Sequence, residues 1–292
     1  LSVAKFRSPF ILRWSELLQT AYDKTNYPPR LTASVNMSST SAINPKGPSV
    51  SEAGKGATAW ADTYLNTTVG QKVLVALTGS GLVGFVLFHM IGNLKLFSGP
   101  ESINAYANFL KHDLGALIWI ARAGLLGIFA LHLTLALRLK YQTNAARPIG
   151  YHYQRSAQAN PASKTMLQTG LVIGAFVIFH LAHYTFALIH DVTALDGSTV
   201  NYLTLRDAKG YHDVYSMLIA GFSTWWISAI YLIANVLLFV HLSHGIPSVF
   251  QTLGLVNRRF TQVVKMIGYG IAGTVLIGNL AIVLAIWTGT VK

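Results

Sequence analysis

The chain has 292 residues, of which 52% are apolar and only 11% charged, and its mean hydropathy is +0.45. Those values exclude a soluble globular enzyme, whose charged fraction would be about twice as large. The net charge of +12 would suggest nucleic acid in a soluble protein. In a membrane protein the placement of charge matters more than its sum, and no nucleic-acid partner is expected.

Before the first long apolar run, near residue 73, the chain reads in two parts. Residues 8–22 begin with Ser8 as N-cap and Pro9 at the first helical position, and carry Phe10, Ile11, Trp14, Leu17 and Leu18 at helical spacing. They predict a short amphipathic helix that lies on the membrane surface or against protein. Residues 28–59 are rich in Ser, Pro, Gly, Ala and Thr with no period, as in an extended linker. The expected organisation is a cytoplasmic extension over 1–68 and a transmembrane domain over 69–292, with no secretory signal.

A spanning helix needs about 20 mostly apolar residues. Five runs qualify, over 73–97, 114–139, 167–189, 216–246 and 263–288. The fold class expected is therefore an all-α integral membrane protein of five transmembrane helices. Arg138 to Lys164 holds Arg138, Lys140, Arg147, Arg155 and Lys164 without an acid, and Pro247 to Lys265 holds Arg258, Arg259 and Lys265 without one. The intervening connections balance Lys95 and Lys111 against Glu101 and Asp113, and Arg206 and Lys209 against four aspartates. Because basic loops stay inside, this sorting predicts a cytoplasmic N-terminus and an external C-terminus.

Cysteine is absent. Disulfides, thiolate zinc, cysteine-bound iron–sulfur clusters and covalent c-type haem are excluded within the chain. A metal would be held by histidine or carboxylate.

Six of the ten histidines, His89, His132, His180, His183, His241 and His244, fall in or at the ends of predicted spans. An imidazole in hydrocarbon is costly unless paired or ligated, so such groups are functional candidates, with hydrogen bonding between helices as the competing role. The first four spans each carry a histidine in their second half, and the direction of the chain alternates. His89 and His180 therefore share an outer level, and His132 and His241 an inner one, roughly 15 Å apart at 1.5 Å rise per residue.

Two haems, each ligated by imidazoles from two helices, match two levels of paired histidines, and four helices would bundle around them. A zinc site would gather four ligands in one place. His183 and His244 share a face with His180 and His241, so spacing alone leaves both choices open, with depth favouring His180 and His241. Gly79, Gly81, Gly84, Gly124, Gly127, Gly170 and Gly174 would let a flat macrocycle approach the helices.

The stretches GFVLFHMIGNLKLFSGPESINAYANFL, ALHLTLALRL, VIFHL and HLSHGIPSVFQTLG together resemble the di-haem cytochrome b anchor subunit of succinate:quinone oxidoreductases and fumarate reductases. The resemblance covers about 69–288, and residues 1–60 have no counterpart in it. It implies two b-type haems with iron ligands His89 and His180 for the distal haem, and His132 and His241 for the proximal one. It also implies a flavoprotein subunit and an iron–sulfur subunit on the cytoplasmic side, and menaquinone or ubiquinone as diffusible substrate. Dicarboxylate chemistry would belong to those partners, so no catalytic residue is expected in this chain.

The bacterial cytoplasmic membrane is the expected location, and membrane lipids are partners in any case. The basic loops suit either a docked subunit or anionic headgroups. Arg138 and Arg122 are candidate counter-ions for haem propionates. Other respiratory cytochromes b, of hydrogenase or formate dehydrogenase, share this chemistry, and a haem-free transporter is the alternative from another class.

Overall fold

The computed structural model describes residues 64–146, 161–189, 191–193 and 199–291. The expected amphipathic helix and linker, with Arg147, His152, Arg155 and His190, lie outside the described residues.

Helix α1, Thr68–Asn93, starts where the Thr67 side chain accepts from the Gly70 amide at 3.2 Å. It tightens into a 3-10 turn over Leu94–Ser98. Gly99, at φ +90°, then turns the chain, and Pro100 opens the short helix α2, Pro100–Asn108. A π-helical turn over Phe109–Asp113 and Gly115, at φ +48°, lead into α3, Ala116–Ala145. After a four-residue helix α4, Pro161–Lys164, comes α5, Met166–His180, which widens into a π-helical turn over Leu181–Thr185. A two-stranded antiparallel ribbon, β1 (Asp191–Thr193) with β2 (Thr199–Asn201), is the one departure from helix among the described elements. Helices α6, Val214–Ser223, α7, Trp225–Thr252, and α8, Thr261–Trp287, complete the chain.

Five helical stretches are long and apolar enough to cross a bilayer: Thr68–Ser98, Ala116–Ala145, Met166–Thr185, Trp225–Thr252 and Thr261–Trp287. The protein is thus a multi-pass membrane protein whose described residues are predominantly helical. Two boundaries differ from those read in the sequence. The run over 216–246 is broken at Thr224, whose backbone is extended. Ser228 Oγ and Trp287 Nε1 both donate to the Phe222 carbonyl, at 2.6 and 2.9 Å, and so satisfy an acceptor that the break releases. At its other end α7 continues through Pro247 to Thr252. Gly268 of α8 makes that passage compatible with close packing, because a Cβ there would stand 2.7 Å from Pro247 Cδ.

Helix α1 packs against α3 and α7, and α5 packs against α7 and touches α3; α1 and α5 thus stand across one diagonal of a four-helix bundle, α3 and α7 across the other. Helix α8 lies outside this square on α7 and reaches α1. It is fixed by Asn279, which donates to Asn235 Oδ1 at 2.8 Å, while Asn235 donates to the Tyr231 carbonyl at 2.9 Å. One apolar cluster joins Leu96, Ile103, Leu218, Phe222, Ile227 and Ile282 at one end of the bundle, and a second joins Leu242, Ile246, Ala272 and Val275 towards the other. Helix α3 buries only Leu135 and exposes Leu117, Trp119, Ile120, Leu126 and Leu131. Such a surface suits lipid, where exposed apolar side chains carry no solvation cost.

Candidate cofactor site

The structure brings His89 of α1 and His180 of α5 together across their diagonal, ring centroids 5.7 Å apart and nearly perpendicular. His132 of α3 and His241 of α7 stand on the other diagonal, each beside a threonine of a neighbouring helix. Thr78 on α1 meets His132, Oγ1 to Nδ1 3.1 Å, and Thr78 precedes His89 by 11 residues on the same helix. Thr169 on α5 meets His241, Oγ1 to Nδ1 3.3 Å, and precedes His180 by the same 11 residues. Eleven residues of α-helix rise about 16 Å and return to nearly the same face, so the bundle holds two levels of paired imidazoles along one stripe.

Two glycines permit the close approach. A Cβ on Gly79 would stand 3.1 Å from His132 Cε1, and one on Gly170 would stand 3.2 Å from His241 Cε1. A Cβ on Gly81 or Gly174 would make only ordinary contact with α3, 3.8 Å from Ile128 Cδ1 and 4.0 Å from Phe129 Cζ. A Cβ on Gly84, Gly124 or Gly127 would meet nothing within 4 Å.

Around His180 the side chains are densely aromatic. Tyr231 Oη lies 3.1 Å from both His180 Nδ1 and His183 Nδ1. His183 lies in the π-helical turn that begins at Leu181, its ring fully buried and tilted against that of Tyr184 with centroids 4.0 Å apart, and with Tyr202 and Phe179 close by. His180, not His183, therefore faces His89. His244 turns to Ser248, Nε2 to Oγ 3.3 Å, one turn further from the bundle's centre along α7.

The end of the bundle beside His89 is closed by a polar cap. Asn104 of α2, 1% exposed, donates to Asp207 at 3.2 Å and Asp213 at 3.1 Å and accepts from the Tyr215 amide at 3.0 Å. Asp213 in turn caps α6 through the Ser216 amide. Arg206 donates to His212 Nδ1 at 3.3 Å. Burial first, and then Lys111 and Arg206, hold the His212 imidazole down at about 4. Beneath the cap a cavity of 160 Å³ is lined by His89, Gly92, Asn93, Ile103, Tyr106 and Leu110 among others. At the opposite end Lys72, Gln142 and Thr143 line a more open cavity of 350 Å³.

The arginines singled out in the sequence are engaged with protein. The Arg122 guanidinium lies 4.9 Å from the Trp119 ring centre, and Arg138 donates to Asn66 Oδ1 at 3.1 Å. Neither contact involves a histidine.

The residues fit bis-imidazole ligation of a flat macrocycle. With metal–nitrogen bonds of about 2 Å, two imidazoles on one iron would place their ring centroids roughly 6 Å apart, close to the 5.7 Å of His89 and His180. Gly84, Gly124 and Gly127 supply helix surface that a macrocycle can approach. Among the described residues, no three or more His, Asp or Glu side chains gather into one metal site.

The threonines and Tyr231 escaped the sequence reading, although a signal was present. TG-x5-FVLFH over Thr78–His89 returns as TG-x5-FVIFH over Thr169–His180, with Thr, Gly, the FV pair, Phe and His at equal offsets. Comparison with known protein families, curated sequences and solved structures finds no match.

Proposed function

We propose that this chain is the membrane-anchor and electron-transfer subunit of a succinate dehydrogenase or fumarate reductase, with two b-type haems held by His89/His180 and His132/His241. The observation that carries this reading is the division of four intramembrane imidazoles into two diagonal pairs at two depths, eleven residues apart on α1 and again on α5. A transporter lining a polar path would place its histidines along one channel, each bonded to the next. Here His132, His241 and His180 are instead backed individually by hydroxyls of neighbouring helices.

Bound haem supplies a one-electron carrier whose potential follows its axial ligands, their hydrogen bonds and burial. The chain's own residues do the rest. His89 and His180 are presented at the capped end, and His132 and His241 at the end where Arg138, Lys140 and Lys164 lie. That basic end is the cytoplasmic one by the positive-inside rule, in the bacterial inner membrane, with the N-terminus inside and the C-terminus outside. It would receive the flavoprotein and iron–sulfur subunits, while membrane quinone exchanges electrons with the chain within the bilayer.

The test is a dithionite-reduced minus oxidised spectrum of the complex purified through this chain, together with its subunit composition. The expected result is two b-type haems per chain, both reduced by succinate, with a flavoprotein copurified. Absence of b-type bands would overturn the haem reading, and a copurified nickel or molybdenum protein would move the chain to another respiratory enzyme.

A further inference from the structure

We propose that Thr78 and Thr169 are a duplicated pair of positioning residues that hold His132 and His241 in the Nδ1–H tautomer and so present both Nε2 lone pairs to the same metal centre. The inference rests on the haem reading above for the identity of that centre, but its physical basis lies wholly in side chains of this protein.

A threonine hydroxyl has one proton and two lone pairs. Thr78 Oγ1 lies 2.7 Å from the Leu74 carbonyl and 3.1 Å from that of Val75, neither of which can donate, so its proton is spent on its own helix. What Oγ1 turns to His132 Nδ1 at 3.1 Å is therefore a lone pair, and the imidazole must be the donor. Thr169 is arranged alike. Its hydroxyl lies 3.0 Å from the Thr165 carbonyl and 3.1 Å from that of Met166, and Oγ1 accepts from His241 Nδ1 at 3.3 Å.

In a neutral imidazole a proton on Nδ1 leaves Nε2 bare, the form that ligates a metal, and a hydrogen bond at the far nitrogen raises the ligand's basicity. The glycine after each threonine completes the device. Gly79 and Gly170 lack the Cβ that would press on Cε1 of the ring their threonine holds. One helix of each half thus supplies, on one stripe, a histidine for one level and a Thr-Gly rest for the neighbouring helix's histidine at the other. Because His132 and His241 form one pair, both threonines act on one haem.

The experiment compares the complexes carrying Thr78→Val, Thr169→Val and Thr78→Ser with wild type, reading haem content, the two midpoint potentials and the low-temperature EPR signals. Valine keeps the shape and removes the acceptor, whereas serine keeps the hydroxyl. In both valine variants the midpoint of the same haem is expected to rise and its EPR signal to move, because a less basic imidazole stabilises the ferric state less. The other haem stays at its wild-type values, and Thr78→Ser restores the first. Loss of one haem in Thr78→Val but not in Thr78→Ser supports the proposal equally. Unchanged potentials and signals in both valine variants, shifts in different haems, or equal haem loss in Val and Ser variants would overturn it. If the wild-type complex holds no haem, the functional reading falls by itself. Nitrogen-15 spectra of the histidine rings in the full chain then decide the tautomer: Nδ1–H at His132 and His241 sustains the assignment, and Nε2–H at either refutes it.

Discussion

Tyr231 Oη stands 3.1 Å from Nδ1 of His180 and 3.1 Å from Nδ1 of His183, yet only His180 reaches His89. The two histidines share a hydroxyl and differ in what lies beyond them. On the proposed haem reading, replacing His180 with alanine is expected to remove one of two haems, whereas His183→Ala should retain both and perturb the aromatic packing around Tyr184 and Tyr202. Haem per chain, measured as pyridine haemochrome, separates the outcomes. Loss after His183→Ala with retention after His180→Ala would move the ligand by one turn.

Asn104 should matter far more than the ion pair beside it. Its amide ties α2 to two carboxylates and to the Tyr215 amide in a site almost free of solvent, and hydrogen bonds to charged groups contribute about 1.5–3 kcal/mol each before relaxation. Asn104→Ala is expected to destabilise the cap by about 3 kcal/mol and to open the segment around Asp207 to protease. Glu101→Gln, which breaks the exposed 2.9 Å bridge to Lys209, should leave the cleavage rate unchanged.

The cap should also loosen in acid. His212 accepts from Arg206 at Nδ1, so protonation would turn an N–H towards a guanidinium. Its folded value of about 4 lies below the ordinary imidazole value of 6.5, and between these the unfolded segment binds the proton that the folded one refuses. Stability contributed by neutral His212 is therefore fully present above pH 6.5 and is lost as pH falls towards 4. Hydrogen exchange of the amides from Asp207 to Asp213 is expected to accelerate between pH 7 and pH 5 beyond the intrinsic pH dependence. His212→Gln should abolish the excess, and an unchanged excess in that variant would remove His212 as its cause.

The Asn279–Asn235 bond should contribute modestly. Hydrogen bonds between membrane helices average about 0.6 kcal/mol in double-mutant cycles, so Asn279→Leu should lower resistance to denaturing detergent by about 1 kcal/mol or less, with smaller added effect in an Asn235→Leu background. A full loss of folded protein would show that α8 depends on this pair for docking.

Much of the fold could be read from the chain because the bilayer demands it. Five apolar runs became five long helices, and His89 and His180, read as sharing one level, meet across the bundle. The break at Thr224 could not be read, since two small hydroxyl residues, Ser223 and Thr224, are too few to interrupt an apolar run, and the signal resides in Ser228 and the distant Trp287, which satisfy the Phe222 carbonyl. Pro247 misled in the opposite direction. A proline ends most helices, but here Gly268 on another helix accommodates the ring. The His180 and His183 alternatives were inseparable by spacing, and it took the π-helical turn to part them. The threonines were missed because a hydroxyl in a membrane helix usually bonds its own backbone. Thr78 and Thr169 do so too, and only the tertiary structure reveals the second acceptor role.

The two diagonals each draw one imidazole from the α1–α3 hairpin and one from the α5–α7 hairpin. Cut between those hairpins, the chain would yield two similar fragments, each with two half-sites and no complete one. Any sliding of one hairpin past the other would misalign both centres at once. The seam between the hairpins is thus the common gauge of both imidazole pairs, which ties the geometry of one pair to that of the other.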